Sequence, residues 1–249
     1  MQPGEVISEK KRQKMNHSFN ECDVEQAETV KYNSINSRTS PKALFDTVVK
    51  LSGQKKDAIT ALGLSSLLSM TMDGISQKLA YYLVDALDTE KMHIKTHTGT
   101  IPVTIKSIHD LLGLPTGGEN IIHGEDDPFG RDLVIKWRKQ FKKPIVRPAN
   151  VKKMIIETNT VDLMFKTNWL VLFVNLMCEC NTMGSCNVKF LNKMKSEEML
   201  SNVDWCKYLY EKLRTSKLLW KRDNPDCFYA GPVTYLLVHS TYIYINKYE

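Results

Sequence analysis

The stretch from residue 93 to residue 118 constrains the fold most, because strong turn and helix signals follow one another there. Two short alternating runs flank Thr98-Gly99, and glycine tolerates the positive φ of a tight turn, so the pattern predicts a β-hairpin. Thr104 is placed as the N-cap of a helix whose apolar residues recur at helical spacing. Gly113 is placed to end that helix in a left-handed conformation. No residue in the stretch is an obvious catalyst.

Similar helix signals recur along the rest of the chain, at residues 40–51, 55–62, 76–87, 201–220 and 233–245. In the third of these segments, after a Ser76 cap, the predicted buried residues are Leu79, Tyr82, Leu83, Ala86 and Leu87. The last segment is also rich in β-branched and aromatic residues and would suit a strand. The predicted fold is mainly α, a multi-helix globular bundle with one small β-hairpin.

Composition is that of an ordinary globular protein: 249 residues, 42% hydrophobic and 25% charged, enough for one large or two small domains. Residues 1–14 are polar and lack the apolar core of a signal peptide. The longest apolar stretch, residues 169–178, is shorter than the roughly 20 residues of a membrane span. Six cysteines are too sparse for a disulfide scaffold. We therefore expect a soluble intracellular protein with no membrane partner.

Domain organisation is predicted from the apolar pattern. Residues 1–37 show no sustained apolar period and are predicted to be a disordered basic tail. Its basic run, Lys10–Lys14, could be a nuclear address, a nucleic-acid contact or simply a solvated cluster. Residues 38–249 are predicted to form one helical domain.

Positive charge is concentrated in one segment. The net charge is +6, but residues 131–153 hold nine basic residues and a single acid, so this segment carries +8 and the rest of the chain −2. The candidate nucleic-acid-binding residues are Arg131, Lys136, Arg138, Lys139, Lys142, Lys143, Arg147, Lys152 and Lys153.

The basic segment is predicted to begin as a helix over residues 131–143. Its apolar face would be formed by Leu133, Val134, Trp137 and Phe141. Pro144 and Pro148 would hold the following cations in an extended track, and the whole surface could neutralise several phosphates. Two alternatives stay open: the cations bind an acidic protein, or they are balanced by the nearby acids Glu125, Asp126 and Asp127.

Cysteines at 178, 180 and 186, with Cys206 further on, are a weak metal signal. Zinc sites commonly use paired C-x2–4-C units, whereas here the first gap is a single residue and no second pair or nearby histidine follows. Buried thiols at the end of a helix are the better interpretation.

An ordered series of segments resembles the plant mobile domain family, also called "aminotransferase-like", whose members are often found upstream of an Ulp1-type cysteine protease domain. The segments that carry this resemblance are residues 38–45, 58–68, 83–88, 104–118, 165–176, 202–209 and 228–238. Together they cover roughly residues 38–245. Leu64-Ser65 stands where the family more often has Phe-Gly, and residues 178–186 are unusual for it.

This resemblance implies a mostly helical, nuclear, non-enzymatic module connected with mobile elements and with transposon silencing or genome maintenance. It also favours a helix over a strand for residues 233–245. It brings no catalytic residues.

An enzyme is the rival class, as a fragment of a protease-bearing transposon protein. An Ulp1-type site needs a Gln six positions before its Cys, and the residues there are Leu172, Val174, Cys180, Leu200 and Lys221. Cys227 and His239 could still form a pair, although a histidine in an apolar run is more often a satisfied core residue. Residues 113–118 lack the Gly-Lys-Ser/Thr of a phosphate loop, and no pyridoxal-phosphate lysine motif is recognisable.

We therefore predict a non-catalytic nuclear interaction module that uses its basic segment to bind nucleic acid or chromatin. A pure protein–protein adaptor is the third possibility. No cofactor, metal or small-molecule substrate is identified.

Overall fold

The structure, a computed structural model, describes residues 33–97, 99–224 and 226–248, with side chains through residue 242. The basic run at Lys10–Lys14 lies outside the described residues. Ile35 is buried in the core, and its N–H donates to the Gln77 carbonyl at 3.1 Å. The ordered domain therefore begins before Arg38, inside the segment predicted to be a tail.

Nine α-helices and one small sheet make up the regular structure of this part of the chain. The helices are α1 (Lys42–Val48), α2 (Gly53–Ala61), α3 (Gln77–Ala86), α4 (Ile105–Leu112), α5 (Pro128–Lys139), α6 (Pro148–Glu157), α7 (Leu163–Phe173), α8 (Trp205–Leu219) and α9 (Val233–Tyr248). The strands are β1 (Leu87–Asp88), β2 (His93–Thr96) and β3 (Gly99–Pro102). Short helical turns lie at Ser65–Ser69, Val174–Cys178, Lys189–Lys193 and Glu198–Ser201. The prediction of a mainly α fold is confirmed.

The predicted hairpin is present, as β2 and β3, with Thr96 opposite Gly99 in antiparallel register. β1, which the sequence pattern did not indicate, pairs Leu87 with Ile94 and extends the hairpin to three strands. A strand of two residues is too short to show an alternating pattern in the sequence. β1 follows directly on α3, so the position of that helix places β1 beside β2.

The helix after the hairpin, α4, begins and ends as predicted. The Thr104 side chain accepts from the Ser107 N–H at 2.9 Å, and the Thr104 N–H donates to Ser107 Oγ at 3.0 Å, which makes a reciprocal capping box. Gly113 adopts φ 59° at the C-cap. Ser107 Oγ also lies 2.8 Å from the Tyr235 hydroxyl, so the same cap connects α4 to α9.

The core is built around the second half of α7, where every side chain from Thr167 to Phe173 is buried. A helix that is apolar on all sides must be enclosed by other elements. α2, α5 and α6 pack against it, and the helical turn that continues it contacts α8 and α9. α7 therefore organises the positions of the helices around it, including both helices of the basic segment.

Two local predictions need correction. On α3, Leu83 and Leu87 are buried as predicted, and Tyr82 and Ala86 are partly buried against the core, but Leu79 is 40% exposed. Ala80, Tyr81 and Val84 are buried in addition, and Tyr81 packs edge-on against Trp220 with 5.3 Å between the ring centroids. The N-cap of α8 is Asp204, whose carboxylate accepts from the Lys207 N–H at 2.8 Å, rather than residue 201 or 202.

The final segment forms a helix, as the resemblance favoured, and Val233 to Leu237 are buried in its first turns. Among the described residues, no helix combines the length and the apolar character needed to cross a bilayer.

Candidate nucleic-acid interface

The first half of the basic segment is helix α5, which begins earlier and ends earlier than predicted. The Asp127 carboxylate caps it by accepting from the Phe129 N–H at 2.9 Å, and Pro128 occupies the first helical position. Leu133 and Trp137 are buried and hold the helix on the core. Regular helix stops at Lys139, so Lys142 and Lys143 lie in the following loop instead of on the helix.

The solvent side of α5 is basic. Arg131, Lys136, Arg138 and Lys139 are all exposed, and Ile135 lies among them at 52% exposure. Three of these cations are in the last turn, where a positive charge also interacts favourably with the helix dipole. Arg138 has a structural contact as well, because its guanidinium donates to the Pro144 carbonyl at 2.9 Å and so braces the loop.

A buried hydrogen-bond network fixes the end of α5 to α7. The indole N–H of Trp137 donates to Asn168 Oδ1 at 2.8 Å, and the Asn168 amide donates to Gln140 Oε1 at 2.9 Å. The Gln140 amide in turn donates to the Trp137 carbonyl at 3.2 Å. Because Trp137 and Asn168 are both buried, this network determines the direction in which the chain leaves α5.

The loop from residue 140 to residue 147 and helix α6 border a cleft of about 230 Å³ that is open to solvent. It is lined by Gln140, Phe141, Lys142, Lys143, Val146, Asn150, Lys153, Met154 and Glu157. Apolar walls and three lysine side chains therefore meet in one place. Phe141 is half-buried and lies 5.0 Å, between ring centroids, from the buried Trp137.

The second half of the basic segment differs from the predicted extended track. Pro148 is the first residue of α6, and Val151 and Ile155 bury that helix against the core. Lys152 and Lys153 therefore lie on a helix, because proline fits the first helical turn as readily as an extended chain.

The two lysines of α6 have carboxylate partners. Lys152 is half-buried, and its ammonium lies 3.0 Å from Asp46 of α1. The hydrogen bond from Lys152 lowers the pKa of Asp46. Lys153 is exposed and lies 3.7 Å from Glu157. Lys152 thus joins two helices, whereas Lys153 reaches the cleft.

The remaining cations have no carboxylate partner within the described residues. These are Arg131, Lys136, Arg138, Lys139, Lys142, Lys143 and Arg147, all of them exposed. The acids considered as balancing neighbours are used elsewhere: Asp126 pairs with Lys193 at 2.6 Å, and Asp127 caps α5. Within the described residues Glu125 forms no ion pair with these cations, and exposed cations without ion pairs fit a solvated helix as well as a binding surface.

The cysteines are in surroundings that suit structural thiols. Cys178 is buried at the end of a helical turn, as expected, and burial raises its pKa well above the ordinary value. Burial also raises the pKa of Cys186 and of Cys206 to about 12, whereas a nucleophilic cysteine needs a lowered pKa. Within the described ranges, no group of three or more His, Cys, Asp or Glu side chains could hold a metal ion.

Cys227 and His239 have separate environments. The Cys227 thiol contacts the backbone at Leu219 and Lys221. His239 is 3% exposed and stacks on Tyr235, with 5.1 Å between ring centroids. It is a core residue, but it is not satisfied, because its Nδ1 has no hydrogen-bond partner; burial lowers its pKa to about 4.

Three residues of this region were not singled out from the sequence: Gln140, Asn150 and Asn168. Asn168 follows Lys166 and Thr167 in sequence, so nothing in the local pattern marks it as buried. Only its burial in the fold shows that it needs a buried partner. Gln140 and Asn150 carry no distinguishing local signal.

The family model described as Domain of unknown function (DUF8566) matches residues 37–237. Neither a curated protein nor a solved structure matches the chain.

Proposed function

The chain belongs to a family described only as a domain of unknown function, so we propose its role from its own surface: it is a non-catalytic module that binds nucleic acid through α5, the 140–147 loop and α6. One observation carries the proposal. Seven exposed cations of this surface lack a carboxylate partner within the described residues, whereas the exposed Lys153 pairs with Glu157. The seven are Arg131, Lys136, Arg138, Lys139, Lys142, Lys143 and Arg147.

A surface of this kind suits a polyanion. Each phosphate neutralised by a lysine or arginine releases a counterion, so such cations contribute affinity that depends on salt. The exposed side of α5 supplies a row of charges, and the loop adds Lys142, Lys143 and Arg147 beside it. The surface is also ordered, because the Trp137–Asn168 bond and the Arg138 brace hold the helix end and the loop.

Non-enzymatic character is part of the same proposal. The buried thiols have raised pKa values, and the candidate Cys227 and His239 make different contacts. The resemblance to plant mobile domain proteins, the nuclear location, and the role in transposon silencing or genome maintenance stay predictions.

The test compares two variants that each remove two exposed lysines. The first is Lys142→Gln with Lys143→Gln, and the matched control is Lys78→Gln with Lys91→Gln, two exposed lysines remote in sequence from the basic segment. Binding of labelled single- and double-stranded DNA is measured by fluorescence anisotropy over a range of salt concentrations. The log–log salt slope should fall by roughly 1.4 on single strands and 1.8 on duplex in the first variant, and should stay unchanged in the control.

An acidic peptide of equal charge is the comparison ligand. Tighter binding of nucleic acid than of the peptide supports the proposal. The proposal is wrong if no nucleic acid binds at low salt, if both lysine variants lose the same slope, or if the acidic peptide binds more tightly.

A further inference from the structure

The cleft beside the basic surface also has an aromatic and apolar lining, which phosphate contacts alone would not use. We propose that it holds one unstacked base of a single-stranded nucleic acid, with the flanking phosphates on the lysines at its rim. This inference rests on the proposed function and adds to it the strand type and a contact with a base.

Phe141 provides the stacking surface. Phe141 lines the cleft, and its ring packs at a tilt of 53° against Trp137. Trp137 is fully buried and hydrogen-bonded to Asn168, so the support for the Phe141 ring does not need to order when a ligand arrives. Base–aromatic stacking is a general means of binding single strands, because every base has a flat π face.

The size of the cleft favours one flat ring system. Its volume of about 230 Å³ is below the roughly 300 Å³ at which pockets for whole cofactors or drug-sized ligands begin. In a duplex the faces of the bases are covered by their neighbours, and only an unstacked base can place its face against an aromatic side chain. The cleft therefore fits a single strand better than a duplex.

The polar groups of the cleft match the edge of a base and its neighbouring phosphates. Lys142 and Lys143 line it and supply positive charge, and the charge of Lys153 is offset by Glu157 at 3.7 Å. Asn150 Oδ1 accepts from the Arg147 N–H at 3.0 Å, which leaves the amide N–H groups of Asn150 to donate to a base.

Glu157 distinguishes a base from an acidic peptide. It lines the same cleft, and its side chain is 62% exposed. Because this carboxylate pairs with Lys153, the two side chains together offer an entering Asp or Glu side chain no net positive charge, whereas the carboxylate can accept a hydrogen bond from the exocyclic amino group of a base. An ion pair in the cleft lining is therefore consistent with a nucleobase and gives an acidic side chain no added attraction.

The experiment uses wild-type protein and labelled oligodeoxycytidine of about 12 nucleotides, a length within the usual range of single-strand sites. The first comparison ligand is the same strand with internal abasic positions, which keeps the phosphates but removes the bases. The others are a duplex of equal length and the corresponding RNA with its own abasic strand. Removing the bases should weaken binding roughly 5- to 100-fold with little change in salt slope, as expected for loss of stacking. The intact single strand should also bind more tightly than the duplex.

Two variants separate the base contact from the phosphate contacts. Phe141→Leu should weaken binding of the intact strand by a similar factor, keep the salt slope, and abolish the difference between intact and abasic strands. Lys142→Gln with Lys143→Gln should lower the slope and keep that difference. The abasic comparison needs only wild-type protein, so a folding defect in Phe141→Leu does not compromise the test.

Equal binding of intact and abasic strands, in both DNA and RNA, overturns this inference; if salt-dependent binding persists, the proposed function stands. Absence of binding to every strand and to the duplex overturns both.

Discussion

The Trp137–Asn168–Gln140 network offers the sharpest test of how the basic surface is held in place. We expect Asn168→Ala to destabilise the domain markedly. The Trp137 indole N–H is buried and loses its acceptor, which costs about 1–3 kcal/mol, and the lost bond to Gln140 adds about 1 kcal/mol. The total is about 2–4 kcal/mol, equivalent to a fall in Tm of roughly 5–15 °C for a domain of this size.

Chemical denaturation measures this cost, and two further variants identify its origin. Gln140→Ala removes one bond of Asn168 but leaves the bond between Trp137 and Asn168, and Gln140 is only half-buried, so we expect a loss of about 1 kcal/mol. Trp137→Phe removes the donor itself. Combined with Asn168→Ala it leaves no stranded N–H, so the double variant should be more stable than the sum of the single effects by about 1–2 kcal/mol.

Additive single effects, within about 0.5 kcal/mol, would refute this reasoning, because they would mean that the two side chains are not coupled in the folded protein.

Two other predictions concern stability, both measured by denaturation. Burial lowers the pKa of His239 to about 4, so as pH falls from about 6.5 to 4 the unfolded state gains a proton that the folded state does not. Up to roughly 3 kcal/mol of stability should be lost over this range. His239→Phe should lack this component of the pH dependence. Gly130→Ala should cost about 3 kcal/mol, because the added Cβ would overlap the carbonyls of Leu191 and Asn192, whereas Gly53→Ala, with open space around it, should be neutral or stabilising. An unchanged pH profile in His239→Phe, or equal costs at the two glycines, would contradict these accounts.

The hairpin and α4 show how far local sequence reaches. Thr104, Ser107 and Gly113 lie within ten residues of one another and satisfy the two ends of one short helix, so their roles are settled by local hydrogen bonds and by a φ of 59°. Such interactions need no information from the rest of the chain. The helical character of most segments follows in the same way from their apolar period.

Which side chains of a helix are buried depended also on distant residues. Leu79 fits the apolar pattern of α3, yet it is 40% exposed, whereas Tyr81 is buried and packs against Trp220, a residue far along the chain. The basic segment likewise has a predictable charge, but not a predictable shape, because Pro148 is compatible with both an extended chain and the first turn of a helix.

Sequence by itself determined that this chain is mainly helical and that its positive charge is concentrated between residues 131 and 153. Only the tertiary structure decided which of these cations form ion pairs and which line the cleft. It joined Lys152 to Asp46 across more than a hundred residues, kept Lys142 and Lys143 off the helix, and placed them with Phe141 around a cleft. The physical reason is that charge and helical period are properties of neighbouring residues, whereas the Lys152–Asp46 contact and the path of the chain between α5 and α6 arise from packing between secondary-structure elements.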